Sequence, residues 1–260
     1  MSARRGFALL AVLWVITALA AIVGLGVGAT RLGQYGADNR IQLERGRWAA
    51  EACLSIVEAR WVAHRLADTA TIDLGRTTAC KWRLNDPTAR LNVNTAPVGV
   101  LAAAVRAAGI APADVDSLVA HRPYQDTAQV RAVLGADTAL LPLLTVDGPG
   151  AVNLNRAAPV VLSALPGIGA EAVERVMEYT RLGRPLTSLD EVVSVTPGGR
   201  EELLVHYAEL SSLITFAAPQ LVITATGWVG EDGPTGLHAT AEELVVPLPE
   251  RLAVIRRRAW

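Results

Sequence analysis

The sequence predicts an α+β protein in which a long N-terminal transmembrane helix packs on a small antiparallel sheet and a large all-α domain is inserted into the chain. Three observations predict this class: an uncharged apolar run at residues 7–30, alternating apolar and polar residues in two later regions, and an internal repeat between those regions. The composition agrees with a membrane segment. With 51% hydrophobic and 19% charged residues, the chain is more apolar than an average soluble protein, in which about 25% of residues are charged.

Residues 7–30 are the predicted membrane helix, because they contain no charged residue and about 20 apolar residues suffice to cross a bilayer. Arg4 and Arg5 precede the run, so we expect a cytoplasmic N-terminus and an exported remainder. A cleaved signal peptide and a simple signal anchor are the alternatives. The run is longer than the roughly 7–15 apolar residues of a signal peptide, which favours an anchor.

Residues 31–67 predict a continuation of the same helix, since they contain no proline. Cys53, Val57 and Trp61 recur at four-residue spacing, as on the core-facing side of an amphipathic helix. The helix therefore starts in the bilayer and ends packed on a domain outside it.

Alternation predicts strands on both sides of the middle region. Residues 80–84 and 89–94 alternate around a turn at 85–88 and predict a β-hairpin. Three further strands are predicted at 219–229, 239–248 and 251–260, with a turn at 231–236. Cys53 lies on the helix and Cys80 on a strand expected to cover it, so an exported chain is predicted to form a disulfide between them. Two buried free thiols are the alternative.

An internal repeat of about 60 residues predicts duplicated helical units that pack together. Residues 92–101 (NVNTAPVGVL) resemble residues 153–162 (NLNRAAPVVL). Each copy continues with a helical stretch and a proline ahead of a third helix, at 115–121 and 123–127 in the first copy and at 172–179 and 185–189 in the second. The Asn and Thr residues before the apolar runs predict helix N-caps.

Gly167, Ile168 and Gly169 form a predicted tight turn between helices at 158–164 and 170–181, and the LPGIG sequence resembles the helix-hairpin-helix motif. In DNA-binding relatives the amides of such a turn hold phosphates, as helix N-termini do. The alternative is a compact helical scaffold in which the glycines serve the turn alone. Residues 152–195 carry four arginines against five acidic residues, which disfavours nucleic-acid binding because that affinity comes mostly from cations.

The junction Arg4-Arg5-Gly6-Phe7 resembles the class III signal of type IV prepilins and type II secretion pseudopilins. The resemblance implies that the prepilin peptidase cuts between Gly6 and Phe7 and methylates the new N-terminal Phe7. Most members carry Glu at mature position 5, where it pairs with the N-terminal amine of a neighbouring subunit. Ala11 stands there in this chain. The missing Glu implies a subunit that sits first, at the top of a filament.

As a whole the sequence resembles the minor pseudopilin K family of the type II secretion system (general secretion pathway protein K), whose members join a prepilin helix, a small sheet and a large inserted helical domain with this NxN and LPGIG pattern. The resemblance implies five regions: a prepilin leader at 1–6, a transmembrane helix at 7–30, a pilin-like helix and first strands at 31–94, an inserted helical domain with two helix-hairpin-helix-like repeats at 95–210, and strands at 211–260 that complete the pilin-like sheet.

The resemblance also implies a function: a minor pseudopilin at the tip of the periplasmic pseudopilus, helping to initiate its assembly for protein export across the outer membrane. Its implied partners are the minor pseudopilins I and J, the major pseudopilin and the prepilin peptidase. It would be a single-pass protein of the bacterial inner membrane with a periplasmic C-terminal domain. The alternative is a membrane-anchored helix-hairpin-helix DNA receptor of the competence type.

No catalytic or metal site is predicted. The four histidines show neither HxxxH nor HExxH spacing, and the sequence has neither a GxSxG elbow nor a Walker A loop. We therefore expect no enzyme and no cofactor. Some members of the family bind structural calcium, and Glu231 and Asp232 offer the oxygen ligands it prefers, but two adjacent acids are too few to predict a site.

Overall fold

The computed structural model describes residues 3–109, 114–135 and 138–260, with the side chains of residues 3–11 and of Asp114 outside that description. One helix, α1 (Ala3–Val62), forms the first 60 described residues. Its second half turns Ala50, Cys53 and Val57 into the protein, where each is at most 1% exposed. The predicted continuation of the apolar helix into an amphipathic one is therefore confirmed.

Two antiparallel strands, β1 (Thr69–Gly75) and β2 (Thr78–Asn85), follow α1. The predicted hairpin over residues 80–94 is wrong, because the strand at 80–84 pairs with β1 before it rather than with the segment after it. Residues 85–88 do not turn a hairpin: Asp86 caps a 3₁₀ helix (Pro87–Ala89) by accepting the Thr88 N–H. An Asp-Pro pair suits a helix start as well as a turn. The short alternating segments on either side did not distinguish a hairpin turn from a helix start.

The first helical unit begins at β3 (Leu91–Asn92) and continues through α2 (Val98–Ala107), α3 (Asp114–Ala120) and α4 (Thr127–Leu134) to β4 (Leu144–Thr145). Its two short strands pair in parallel. The second unit repeats this order with β5 (Val152–Asn153), α5 (Pro159–Leu162), α6 (Ala170–Arg181) and α7 (Leu189–Val195), and then adds α8 (Arg200–Val205) and α9 (Tyr207–Leu213) before β6 (Ile214–Thr215). Strands β5 and β6 also pair in parallel. The predicted duplication is confirmed.

The NxN segments hold equivalent loops in the two units. Asn94 accepts the Tyr124 N–H through Oδ1 (2.7 Å) and donates from Nδ2 to the Tyr124 carbonyl (2.9 Å). Asn155 does the same with Leu186, at 2.8 and 2.7 Å. Neither α2 nor α5 has a side-chain hydrogen bond at its N-terminus, so the predicted Asn and Thr caps are wrong. The side chains bridge to a loop about 30 residues away, which no local propensity rule detects.

Three strands, β7 (Leu221–Val229), β8 (His238–Leu248) and β9 (Arg251–Ala259), close the fold at the predicted positions. They join the first two in an antiparallel sheet of order β1-β2-β7-β8-β9. The second half of α1 packs on this sheet around Cys53, Trp82 and Val245, while the helical units enclose a separate core. The helical part, residues 91–215, is thus inserted between β2 and β7.

Candidate functional site

The apolar half of α1 has no packing partner in the described residues. From Val12 onward this is the one described helix long and apolar enough to cross a membrane, judged by length and composition alone; its most apolar 18-residue window has a mean hydropathy of 2.3 and none of it is buried. Thr17 and Thr30 donate their hydroxyls to main-chain carbonyls of the preceding turn. Those bonds satisfy the threonine hydroxyls within the helix itself, as a hydrocarbon environment without water requires. The segment is consistent with a single-pass membrane anchor.

The predicted processing residues Gly6 and Phe7 lie in the first turns of α1, as does Ala11, and their side chains lie outside the described part of the chain. Cleavage after Gly6, methylation of Phe7 and the consequence of Ala11 all stay predictions.

Cys53 and Cys80 meet at the contact between α1 and β2. Both are fully buried, and the structure joins their sulfur atoms at 2.13 Å with the Cα atoms 6.1 Å apart. The link would fasten the membrane-proximal helix to the sheet covalently. Oxidation of this pair in the exported protein stays a prediction.

The Gly167–Gly169 turn between α5 and α6 lies under α8 rather than in solvent. Gly167 has a φ of +73°, and a Cβ placed on it would stand 2.9 Å from the His206 Cβ and 3.1 Å from the Glu202 carbonyl oxygen. Ile168 is 4% exposed, and its N–H already donates to the Leu165 carbonyl. Both the backbone conformation and the close approach require glycine at position 167.

Two carboxylates face this turn and the N-terminus of α6. Glu202 lies 3.2 Å from a Cβ built on Gly169, and Glu171 accepts the Gly198 N–H. Glu171 stands in the first turn of α6 and the Glu202 carboxylate lies beside Gly169, so acids of the same chain already surround the positive end of the α6 dipole. A phosphate would meet like charge there, so the geometry favours the scaffold reading of the motif over phosphate binding.

A set of polar contacts joins the helical part to the sheet, and we call this contact the seam. It consists of an Arg256–Asp147 ion pair at 2.7 Å, an Arg156–Asp68 pair at 3.5 Å, a bond from Asn153 to Asp86 at 2.8 Å and a bond from Arg258 to the Gln125 carbonyl at 2.8 Å. No apolar cluster crosses it among the described residues, because the two cores lie on either side.

Hydrogen bonding and burial shift the pKa values of two charged groups at the seam, Arg256 and Glu242. The hydrogen bond to Asp147 raises the pKa of the Arg256 guanidinium, and desolvation opposes that shift. Desolvation raises the pKa of the Glu242 carboxyl, and the neighbouring Asp147 raises it further, while Arg256 and Arg258 lower it. Arg256 thus pairs with two partly buried carboxylates, Asp147 and Glu242. The Glu242 carboxylate is the more distant, at 3.7 Å, and its negative charge is balanced less completely.

The described residues include no group of three or more His, Cys, Asp or Glu side chains that could hold a metal ion. Glu231 and Asp232 lie exposed before a 3₁₀ helix at Gly233–Thr235.

A chain of the solved GspK–GspI–GspJ complex from the type 2 secretion system of enterotoxigenic Escherichia coli is similar to this protein. The match has a TM-score of 0.57 and 15% sequence identity, and it covers 89% of this chain and 99% of that one. No protein-family model and no curated protein matches the sequence. The likeness shows a shared fold, and it confirms the predicted class of a long apolar helix on an antiparallel sheet with an inserted helical part.

The seam was not predicted from the sequence. Asp147 and Arg256 are 109 positions apart and stand in unrelated local patterns. One signal was available: the run of three arginines at 256–258 in a predicted strand. A partly buried arginine needs an acidic partner, and Arg256 finds two, in Asp147 and Glu242.

Proposed function

We propose that this protein is a minor pseudopilin of a type II secretion system and caps the tip of the periplasmic pseudopilus. The observation that carries the proposal is the structural match over 89% of this chain and 99% of the other. The match includes the inserted helical part, which a shaft-forming subunit of helix and sheet alone would lack.

The way the helical part leaves the sheet supports a position at the tip. Trp61 at the end of α1, Asn85 at the end of β2 and Arg90 on the segment that follows line one cleft. The chain therefore passes into the helical part at the end of α1 that is farthest from the apolar segment. A mass of this size at that end would block another subunit from stacking above it.

Ala11 supports the same order by charge. After removal of residues 1–6, the N-terminal amine of Phe7 can donate to, and pair with, the Glu carboxylate of a subunit arriving below. This chain brings no acid of its own with which to dock beneath another subunit. An unpaired amine in hydrocarbon is costly, so we propose that this chain is inserted first and that minor pseudopilins I and J and the major pseudopilin follow. The N-terminus would lie in the cytoplasm and the folded part in the periplasm.

Cross-linking in assembled pseudopili tests the position. We expect the wild-type chain at one end of each filament, and Ala11→Glu to remain there because the helical part still blocks stacking. A variant that combines Ala11→Glu with removal of residues 95–210 should enter the shaft in part. Even distribution of the wild-type chain along the filament would overturn the proposal. DNA binding at low salt would instead favour a receptor, although nothing in the turn at Gly167 supports one.

A further inference from the structure

A cleft of about 460 Å³ opens at the seam, where the two crossings between sheet and helical part lie side by side. Residues from five separate stretches of the chain line it, among them Trp61 at the end of α1 and Leu66 beyond it, Asn85 at the end of β2, Arg90 after that strand and Leu221 at the start of β7. Binding sites are commonly concave, of about 300–1,000 Å³, and placed where two structural units meet.

One side of the cleft is apolar. Leu66, Leu221 and Trp61 are each partly exposed, and each lines the opening. The Trp61 indole N–H already donates to the Leu248 carbonyl at 2.7 Å, so the ring offers surface rather than a free donor. This side can receive an apolar side chain of a ligand.

The other side holds donors that nothing in the described chain uses. The Arg90 guanidinium is exposed, and neither it nor the Asn85 amide has a side-chain hydrogen bond or ion pair with any described residue. Asp86 is occupied, because one carboxylate oxygen accepts the Thr88 N–H and the other accepts the Asn153 amide. The unused donors on this side are therefore the Arg90 guanidinium and the Asn85 amide, which together can bind a carboxylate.

We propose that this cleft binds an extended peptide segment of a partner protein in which an apolar side chain stands next to a carboxylate side chain. The apolar residue would lie against Trp61 and Leu66, and the carboxylate would accept from Arg90 and Asn85. The proposal does not depend on the function proposed above.

The chemistry of the lining favours a peptide over a fatty acid, which also joins hydrocarbon to a carboxylate. Five of the twelve lining residues are polar or charged, including Asp68 and Asp86. A hydrocarbon chain laid over those acids would remove water without replacing its hydrogen bonds, which is costly. A peptide brings main-chain amides that can donate to the exposed Asp68 carboxylate.

A direct binding measurement tests the proposal. The full-length protein in lipid nanodiscs would be titrated into a fluorescent hexapeptide, acetyl-Gly-Ala-Leu-Glu-Ala-Gly-amide, and followed by anisotropy. Variant Arg90→Glu reverses the free cation. Arg131→Glu on α4 is the matched control, because Arg131 is also exposed, also makes no side-chain ion pair with a described residue, and does not line the cleft.

We expect saturable binding by the wild type and by Arg131→Glu, and binding weaker by about tenfold or more for Arg90→Glu, as for loss of a charge-assisted hydrogen bond. Replacing Glu by Gln in the peptide should weaken binding to the wild type similarly, whereas it should not weaken binding to Arg90→Glu and should improve it, because the repulsion between two carboxylates is removed. Absence of binding at millimolar peptide, or equal binding by both variants, would overturn the proposal. Tighter binding of octanoate than of the peptide would also overturn it, in favour of a lipid-like ligand.

Discussion

Gly227→Ala should displace α1 from the sheet locally and lower stability, because α1 and β7 touch through backbone at this residue. A Cβ placed on Gly227 would overlap the Gly46 carbonyl oxygen and the Ala50 amide nitrogen and stand 2.7 Å from the Ala49 Cβ. The contact is equally close from the helix side, because a Cβ placed on Gly46 would lie 2.9 Å from the Gly227 carbonyl oxygen. No side chain at this crossing can rotate out of the way, so the helix itself must move.

The expected cost follows from that geometry. Added methyl groups in a well-packed core cost about 1–3 kcal/mol when neighbouring side chains can shift. Here the obstacles are mainly backbone atoms, so we expect Gly227→Ala to lower the free energy of unfolding by about 3 kcal/mol, at the upper end of that range. The displaced helix would also loosen its contacts around Cys53 and Val57, both fully buried.

Gly99→Ala in α2 is the matched control. A Cβ there meets nothing within 4 Å, and the residue has no positive φ. Alanine is the better helix former by about 1 kcal/mol, so this variant should be neutral or slightly more stable. Urea unfolding of the full chain in detergent, followed by tryptophan fluorescence, compares the two. Equal unfolding midpoints for Gly227→Ala and the wild type would refute the inferred close contact of α1 with β7.

Three further predictions concern processing, the disulfide and pH. Gly6→Val should leave full-length protein in the membrane, and mass spectrometry of the wild type should find an N-terminal methylated Phe7; a cut near residue 30 would exclude the prepilin reading. Thiol labelling of the unfolded, non-reduced protein should find no free sulfhydryl at Cys53 or Cys80, and reduction should lower stability by roughly 3 kcal/mol through the 26-residue loop between them. Because desolvation raises the pKa of Glu242, the folded state holds that proton more tightly than the unfolded state, so the contribution of Glu242 to stability should fall as pH rises from its unfolded pKa through its folded one. Glu242→Gln should remove that fall, and the exposed Glu231→Gln should not; identical pH profiles would contradict the assignment.

The sequence predicted those features that depend on period and composition. The apolar run, the core stripe of α1, the C-terminal strands and the duplicated helical units all follow from residues that lie close together in the chain. The first hairpin failed because two short alternating segments on either side of Asp86-Pro87 resemble two arms of one. Pairing partners in a sheet are chosen by contacts across the whole fold, and β2 has β1 on one side and β7 on the other.

For the NxN segments the repeat was predicted correctly, but the role predicted for its asparagines was wrong. The repeat was visible because Asn92 and Asn94 recur as Asn153 and Asn155. Their role was invisible because Asn94 and Asn155 bond to loops about 30 residues ahead. Asparagine at the start of a helix usually caps it, but in this fold the positions before α2 and α5 are Pro97 and Ala158, without a side-chain bond. The amides instead hold the loop ahead of the third helix next to the NxN segment in each unit.

The two cores are joined to the rest of the chain in different ways, which predicts different responses to salt. The sheet and α1 are fastened by apolar packing, by glycine-to-backbone contact at Gly227 and by the Cys53–Cys80 link. The helical part is fastened to the sheet by two chain crossings and the polar seam. Ion pairs of partly exposed groups weaken with salt, whereas apolar cores do not. Orientation of the helical part should therefore respond to ionic strength and to loss of Arg256, while the attachment of the membrane helix to the sheet should respond to neither.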